Sequence, residues 1–282
     1  MKHAFVAGMV DERQFLDLAR LAEARGWDAI LTWEAVYRHD AWGTLAAAAA
    51  VTDRIRLGTL LTPPAVHEPW DLTARIGTVD RLSGGRVTVG VGLGAPNANW
   101  QAFIPDEGRR VRAAKVDESL AIYAGLMAGQ PFEYTGEHWS VRPVTELAPP
   151  PPVQLPHPPV WVVGALVPGQ ARQRSLERAA RWQGVFPAVA GGAEENSGLT
   201  LDALGEIVDR LKRLRSDAGL PWEGYDVAVE GDTHGDFGTV HGSPDPWEEA
   251  GGTWWVESWW DVPEGDEGYA EVVRRVEGGP RR

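Results

Sequence analysis

Cysteine is absent from the 282 residues, which removes disulfides, thiolate nucleophiles and most structural zinc sites. No apolar run approaches the roughly 20 residues that a membrane-spanning helix needs. The N-terminal MKHAFVAGMVDERQF also carries too short an apolar stretch for a secretory signal. Basic residues are in deficit: 27 Lys and Arg stand against 40 Asp and Glu, and the formal charge of −13 has the wrong sign for a phosphate backbone as partner. The seven histidines form no H-x-x-x-H or H-E-x-x-H pair, and G-x-S-x-G is missing, so neither a zinc hydrolase nor a serine nucleophile has its motif. The simplest reading is a cytoplasmic protein, with no metal, nucleic acid or membrane expected as partner.

What is plentiful is glycine, with 33 residues, and tryptophan, with 14 against six Phe. An apolar content of 43% over this length suffices for one large core, and single α/β barrels commonly have this size. The glycines concentrate in Arg81 to Trp100, RLSGGRVTVGVGLGAPNANW. Side chains alternate along a strand, so Val87, Val89 and Val91 suit a helix-covered surface, while Thr88, Gly90 and Gly92 leave space on the other side. Gly90, Gly92 and Ala95 fit G-x-G-x-x-A, but Pro96 and Asn97 follow where a dinucleotide fingerprint needs a helix, so the match is accidental.

Read in order, a strand at His3 to Met9 precedes a helix from Asp11 to Arg25 with Phe15, Leu18, Ala19 and Ala22 on one face. A second strand, Ala29 to Trp33, leads to Glu34, and a helix at Trp42 to Val51 holds five alanines from Ala46 to Ala50, either plain helix propensity or a surface for close helix packing, with a subunit interface expected there. The third strand is Ile55 to Leu61, and Pro69 opens the next helix. The fourth is the glycine strand, followed by a long loop and a helix at Arg109 to Ala128. A hairpin at Phe132 to Val141 and a stiff proline-rich connector, Pro149 to Pro159, lead to a fifth strand, Val160 to Val163, ending at Gly164. Then come a helix at Leu176 to Trp182, a strand at Gly184 to Phe186, a helix at Leu201 to Ala218 and a strand at Tyr225 to Val229 ending at Glu230. A short helix at Pro246 to Ala250, a strand at Thr253 to Glu257 and a helix at Asp266 to Val276 close the chain.

This alternation predicts an α/β fold: a single (β/α)8 TIM barrel over residues 1–282, with a small hairpin insertion between the fourth helix and the fifth strand and a reduced seventh helix. Active sites of such barrels lie at the C-terminal ends of the strands. Those ends hold Glu34, Thr59 to Thr62, Gly92 to Asn97, Gly164 with Ala165, Phe186, Glu230, and Trp255 with Glu257. Alternation puts Thr253, Trp255 and Glu257 on one face of the last strand, and three carboxylates beside tryptophans would suit a glycoside hydrolase.

A family likeness also emerges. RIRLGTLLTP (Arg54 to Pro63) and VDRLSGGRVTVGVGLG (Val79 to Gly94), one barrel unit apart, resemble the luciferase-like family of flavin-dependent oxidoreductases. The likeness continues through VDESLAIYAGLMAGQPFEYTGEHW, PPVWVVGA, RAARWQGVFP and AGGTWWVES, covering most of the chain in order. It implies a barrel holding FMN or the deazaflavin F420, a homodimer through the second and third helices, and a cis peptide near Thr59-Leu60 that faces the flavin. Carried over by position, it implies cofactor contacts at Thr59, Leu60, Thr62, Gly92, Leu93, Gly94 and Asn97, with Gly164 and Ala165 at the phosphate. Trp33, Trp255 and Phe186 would wall the pocket, and Glu34 would be the polar group facing cofactor or substrate, with Glu257 beside it.

The implied reaction is an oxidation or reduction, foremost a monooxygenation, of a small apolar or aromatic substrate, with a separate reductase if FMN is used. One departure stands out: many members carry Asp-His after the second strand, where this chain has Glu34-Ala35, and His39 lies further on. A glycoside hydrolase-type barrel and a non-catalytic flavin-binding protein are the alternatives.

Overall fold

The computed structural model describes residues 1–35, 38–94, 100–129, 131–146, 149–190, 198–235 and 240–281. Strands β1 (Lys2–Val6), β2 (Ala29–Thr32), β3 (Arg56–Thr59) and β4 (Val87–Val91) alternate with helices α1 (Glu12–Ala24), α2 (Ala41–Ala49), α3 (Pro69–Ser83) and α4 (Arg109–Ala128). An antiparallel hairpin follows, β5 (Phe132–Thr135) and β6 (Ser140–Val144). Then come β7 (Val160–Leu166), α5 (Arg174–Ala179), β8 (Gly184–Val189), α6 (Leu201–Asp217), β9 (Asp226–Gly231), α7 (Asp245–Glu249), β10 (Trp254–Glu257) and α8 (Asp266–Glu277). Eight parallel strands close into a barrel in the order β1-β10-β9-β8-β7-β4-β3-β2, with the hairpin as a separate sheet. This is the TIM-barrel fold.

Local chemistry sets the element ends. Asp11 caps α1 by accepting from the Gln14 amide at 2.8 Å, while the Gln14 side chain accepts from the Asp11 amide at 3.0 Å, a reciprocal box that stops the first turn fraying. Pro69 occupies the first position of α3, where no amide is needed, and Gly84 ends that helix at φ 64°, a conformation other residues avoid. The seventh helix is reduced to Asp245–Glu249, and no helix among the described residues is long and apolar enough to cross a membrane.

The chain divides into two compact units, one formed by Met1–Leu31 with Val160–Arg282 and the other by Thr32–Pro159. In the second, the N-terminal ends of the strands are locked by polar side chains. The Arg86 guanidinium donates to the carbonyls of Ile55 (2.7 Å), Thr52 (2.8 Å) and Ala49 (3.2 Å), and its Nε donates to Ser83 O at 2.7 Å. Arg56 donates to Thr88 Oγ1 and to Val87 O, both at 2.9 Å. Buried Asp80 of α3 receives the amides of Val153 (2.6 Å) and Gln154 (3.2 Å) and the Gln154 carboxamide (2.9 Å). The proline-rich connector is therefore held by a carboxylate as well as by its own stiffness. The hairpin is tied down in the same manner, with the Glu118 carboxylate accepting from the Glu137 amide (2.8 Å) and the Trp139 amide (2.9 Å).

In the first unit the register defines two strand faces. Phe5 packs edge-on against Trp27, whose indole donates to Val276 O of α8 at 2.9 Å, so the Phe5 face is covered by helices. Phe5 is level with Glu257, and Trp255 and Glu257 are level with Val229 and Gly231, which places all of them on the helix-covered face. Trp254, Val256, Ala228 and Glu230 point the other way. At the N-terminal end of that second face, Asp226 accepts from both Trp254 Nε1 (2.8 Å) and Trp161 Nε1 (3.0 Å), and the two indoles meet edge to face. Much of the tryptophan excess is thus core structure: Trp42, Trp100, Trp161, Trp254 and Trp255 are all fully buried.

Candidate functional site

In the 32–159 unit the ends of β2, β3 and β4 form one connected structure. Leu60 N–H donates to Thr32 O at 2.8 Å, and the Leu60-Leu61 peptide is cis, one bond beyond the Thr59-Leu60 position expected from the family likeness. Thr62 N–H donates to Gly90 O at 2.9 Å, and Gly92 N–H donates to Thr62 O at 3.2 Å. The hydroxyls of the two threonines are spent on the same link, with Thr62 Oγ1 donating to Thr59 Oγ1 (3.2 Å) and Thr59 Oγ1 donating to Gly90 O (3.1 Å). Both residues are buried, and their hydroxyls are engaged within the protein. The space beside Gly92 is filled by Leu61: a Cβ at position 92 would lie 2.7 Å from Leu61 Cδ2. Gly94 is left-handed at φ 84°, and a Cβ there would come within 3.0 Å of Trp100 Nε1. Leu61, Leu93 and Gly94 keep partial exposure, whereas Asn97 lies outside the described residues.

Beyond β2, Glu34 is buried and the partly exposed Trp33 stands beside it. His67, from the turn after β3, places Nε2 2.8 Å from Glu34 Oε1. The other carboxylate oxygen, Oε2, is closed off from solvent with no partner among the described residues. His39 returns to the same strand end, its Nε2 3.3 Å from Thr32 Oγ1 and its ring edge-on to Trp33. Both imidazoles are absent from the position after Glu34, where Ala35 stands, and come instead from later turns. The sequence carries no local signal for the Glu34–His67 pair, because the two residues belong to different barrel units.

In the other unit the outcome departs further from expectation. Gly164 and Ala165 lie inside β7, which runs on to Leu166, instead of opening a loop. A Cβ at Gly164 would meet Val185 Cγ2 at 2.7 Å and Leu176 Cδ2 at 2.9 Å, so this glycine serves the packing of α5 on the strands. The Ala165 amide donates to Ser175 Oγ at 3.1 Å and is not open to a phosphate. Trp255 and Glu257 do not face a pocket with the other carboxylates, because the register puts them on the helix-covered side. There Trp255 Nε1 donates to Glu257 Oε2 (2.8 Å), and the Thr233 amide and hydroxyl both donate to Oε1 at 3.0 Å. Asp232, His234 and Glu257 bring three metal-ligating atoms within 4.8 Å of one another. The Glu257 oxygens are however engaged by these donors, and the buried Arg275 guanidinium stands 3.3 Å from Asp232 Oδ1, where a cation would go.

Phe186 and Glu230 occupy the opposite, helix-free face. Phe186 packs edge-on to Trp161, and Glu230 Oε1 accepts from Trp260 Nε1 at 2.6 Å. Burial pushes the Glu230 carboxyl above the usual glutamate range, opposed by the hydrogen bonds from Trp260 and Ser258. Trp260 lies against Gly8, where a Cβ would come within 2.7 Å of the ring, so the glycine after β1 is what admits the indole.

A family model described as luciferase-like monooxygenase matches residues 4–234. A protein of Mycobacterium tuberculosis is 26% identical over 259 residues, covering 83% of each chain. Among solved structures, the coenzyme F420-dependent tetrahydromethanopterin reductase of Methanopyrus kandleri is similar with a TM-score of 0.74 at 17% identity, covering 97% of both chains. The oxygenating constituent of 3,6-diketocamphane monooxygenase from Pseudomonas putida, solved in complex with FMN, is similar with a TM-score of 0.65 at 22% identity, over 83% of this chain and 67% of that one. At these identities the two structures speak for the shared fold.

Proposed function

Because this chain belongs to the luciferase-like monooxygenase family, we propose that it is a flavin-dependent oxidoreductase, in the fuller reading a monooxygenase, that uses FMN or F420 on a small apolar or aromatic substrate. The family match over residues 4–234 carries the reading. The strand ends of the 32–159 unit add a fit of their own. Glu34 Oε2 is a buried acceptor with no donor among the described residues, and both cofactors carry an N–H on the rim of their ring system. A buried carboxylate oxygen left alone costs more than a satisfied one, so a ligand N–H there is stabilising.

Glu34 would receive that N–H, and His67 would hold its other oxygen in place. Leu61, Leu93 and Gly94, with Trp33, would line the ring and exclude water, while Thr59, Leu60, Thr62 and Gly92 fix the backbone behind them. When bound, the cofactor supplies the two-electron chemistry that no side chain here can provide. We read residues 1–282 as one functional barrel domain acting as a homodimer through α2 and α3, with a separate reductase if the cofactor is FMN.

The glycosidase reading loses the Glu230–Glu257 pair, because the two residues are on opposite faces of adjacent strands and cannot flank one bond. Titration of the purified protein with FMN and with F420, followed by fluorescence quenching, tests the flavin reading. Saturable binding of one is the expected result, and no binding of either at high micromolar concentration overturns it. Binding without any turnover of reduced cofactor would leave a flavin carrier.

A further inference from the structure

Glu230 has an unusual combination of surroundings. On its own face of β9 and β10, the flanking Ala228 and Val256 are fully buried, yet Glu230 keeps accessible surface. The residue thus lies deep in the fold and is not wholly closed off. No cation pairs with it among the described residues; its partners are two neutral donors, the Trp260 indole at 2.6 Å and the Ser258 hydroxyl. Asp226, further back on the same face, is engaged by two indoles, and Lys2 lies 5.0 Å from the centroid of the Trp254 ring. Asp232, His234, Glu257 and Arg275 gather around the helix-covered side. From the end of β1 the approaching residue is Gly8, which brings no charge.

We propose that Glu230 is the proton donor of this face, a carboxylic acid that offers its hydrogen to an oxygen or nitrogen acceptor on an otherwise apolar substrate. The substrate class is then one bearing a carbonyl, an imine or a heterocyclic nitrogen, in preference to a plain hydrocarbon. In a full transfer the Glu230 O–H bond breaks, the acceptor–H bond forms, and the electron pair stays on the carboxylate, where the Trp260 and Ser258 hydrogen bonds receive it. Water returns the proton. Burial without a counter-charge favours the neutral acid, and the two donors keep its conjugate base within reach. The assignment deepens the flavin reading and rests on it for the identity of the reaction.

Infrared difference spectroscopy tests it. The wild-type protein at neutral pH is expected to show the C=O stretch of a protonated carboxyl that Glu230→Gln removes. In Trp260→Phe the band should persist to higher pH, because the lost indole N–H favoured the charged form. Acetophenone serves as the probe acceptor: its own C=O stretch is expected to move to lower frequency in the wild type and to stay at the free value in Glu230→Leu. A wild-type spectrum with no band lost in Glu230→Gln overturns the proposal. So does a probe band that fails to move in the wild type or moves equally in Glu230→Leu. Spectra are recorded without cofactor and again with FMN or F420, so failure of both cofactors to bind, with band and probe shift intact, would count against the flavin reading alone.

Discussion

His67 reaches Glu34 across a barrel unit, and this pairing changes what substitution at either residue should do. Nε2 and Oε1 are 2.8 Å apart, and the second oxygen of the carboxylate has no partner among the described residues. Glu34→Gln keeps the shape and removes the charge, so the fold should survive while cofactor affinity drops about 10- to 100-fold, the loss that one charge-assisted hydrogen bond accounts for. His67→Gln should act through Glu34, with a smaller change in affinity. Titration of both variants with FMN and F420, beside their melting curves, is the measurement. Wild-type affinity in Glu34→Gln would make the pair a structural contact. Composition and periodicity offered no route to this pair, since neither residue type nor spacing marks a contact between distant turns. Glu34 was legible as a strand-end carboxylate, and the histidine that joins it was not.

At the scale of elements, the alternation of strands and helices, the proline that opens α3 and the apolar periods of α1 and α6 were all written in the sequence. What alternation could not tell was which face of β10 looks toward the helices. All four of its residues, Trp254 to Glu257, are buried, and a strand covered on both sides has no polar face to break the symmetry. Thr253, Trp255 and Glu257 were correctly grouped, and the group was assigned to the wrong side. The end of β7 was misjudged for a related reason: Gly164 reads as a terminator, yet it sits mid-strand to let α5 approach. Gly164→Ala is therefore expected to cost about 1–3 kcal/mol by overpacking against Val185 and Leu176 while leaving FMN or F420 affinity unchanged. Calorimetry beside a cofactor titration checks this, and a variant of normal stability that had lost affinity would restore a phosphate-binding role.

For the whole molecule, two partly buried residues give stability a dependence on pH with opposite signs. The Glu230 carboxyl is pushed up, so the folded chain keeps a proton that the unfolded chain has released, and stability falls as pH rises through that window. Glu230→Gln should be more stable than the wild type at mildly alkaline pH, with the difference closing below the ordinary glutamate range. Burial pushes the His157 imidazole down, against the Pro158 carbonyl beside it, so the unfolded chain binds the proton first and stability is lost as pH falls below the ordinary histidine value. His157→Gln should flatten that acid limb, and denaturant melts across pH would show both slopes. The lock at the N-terminal ends of β3 and β4 has a further bearing. Arg86, Arg56 and Asp80 bind carbonyls, amides and a connector into one rigid base. Among the described residues, the turns at the other ends, Leu60 to His67 and Gly92 to Gly94, take no part in that base, so changes there should leave intact what holds the strands.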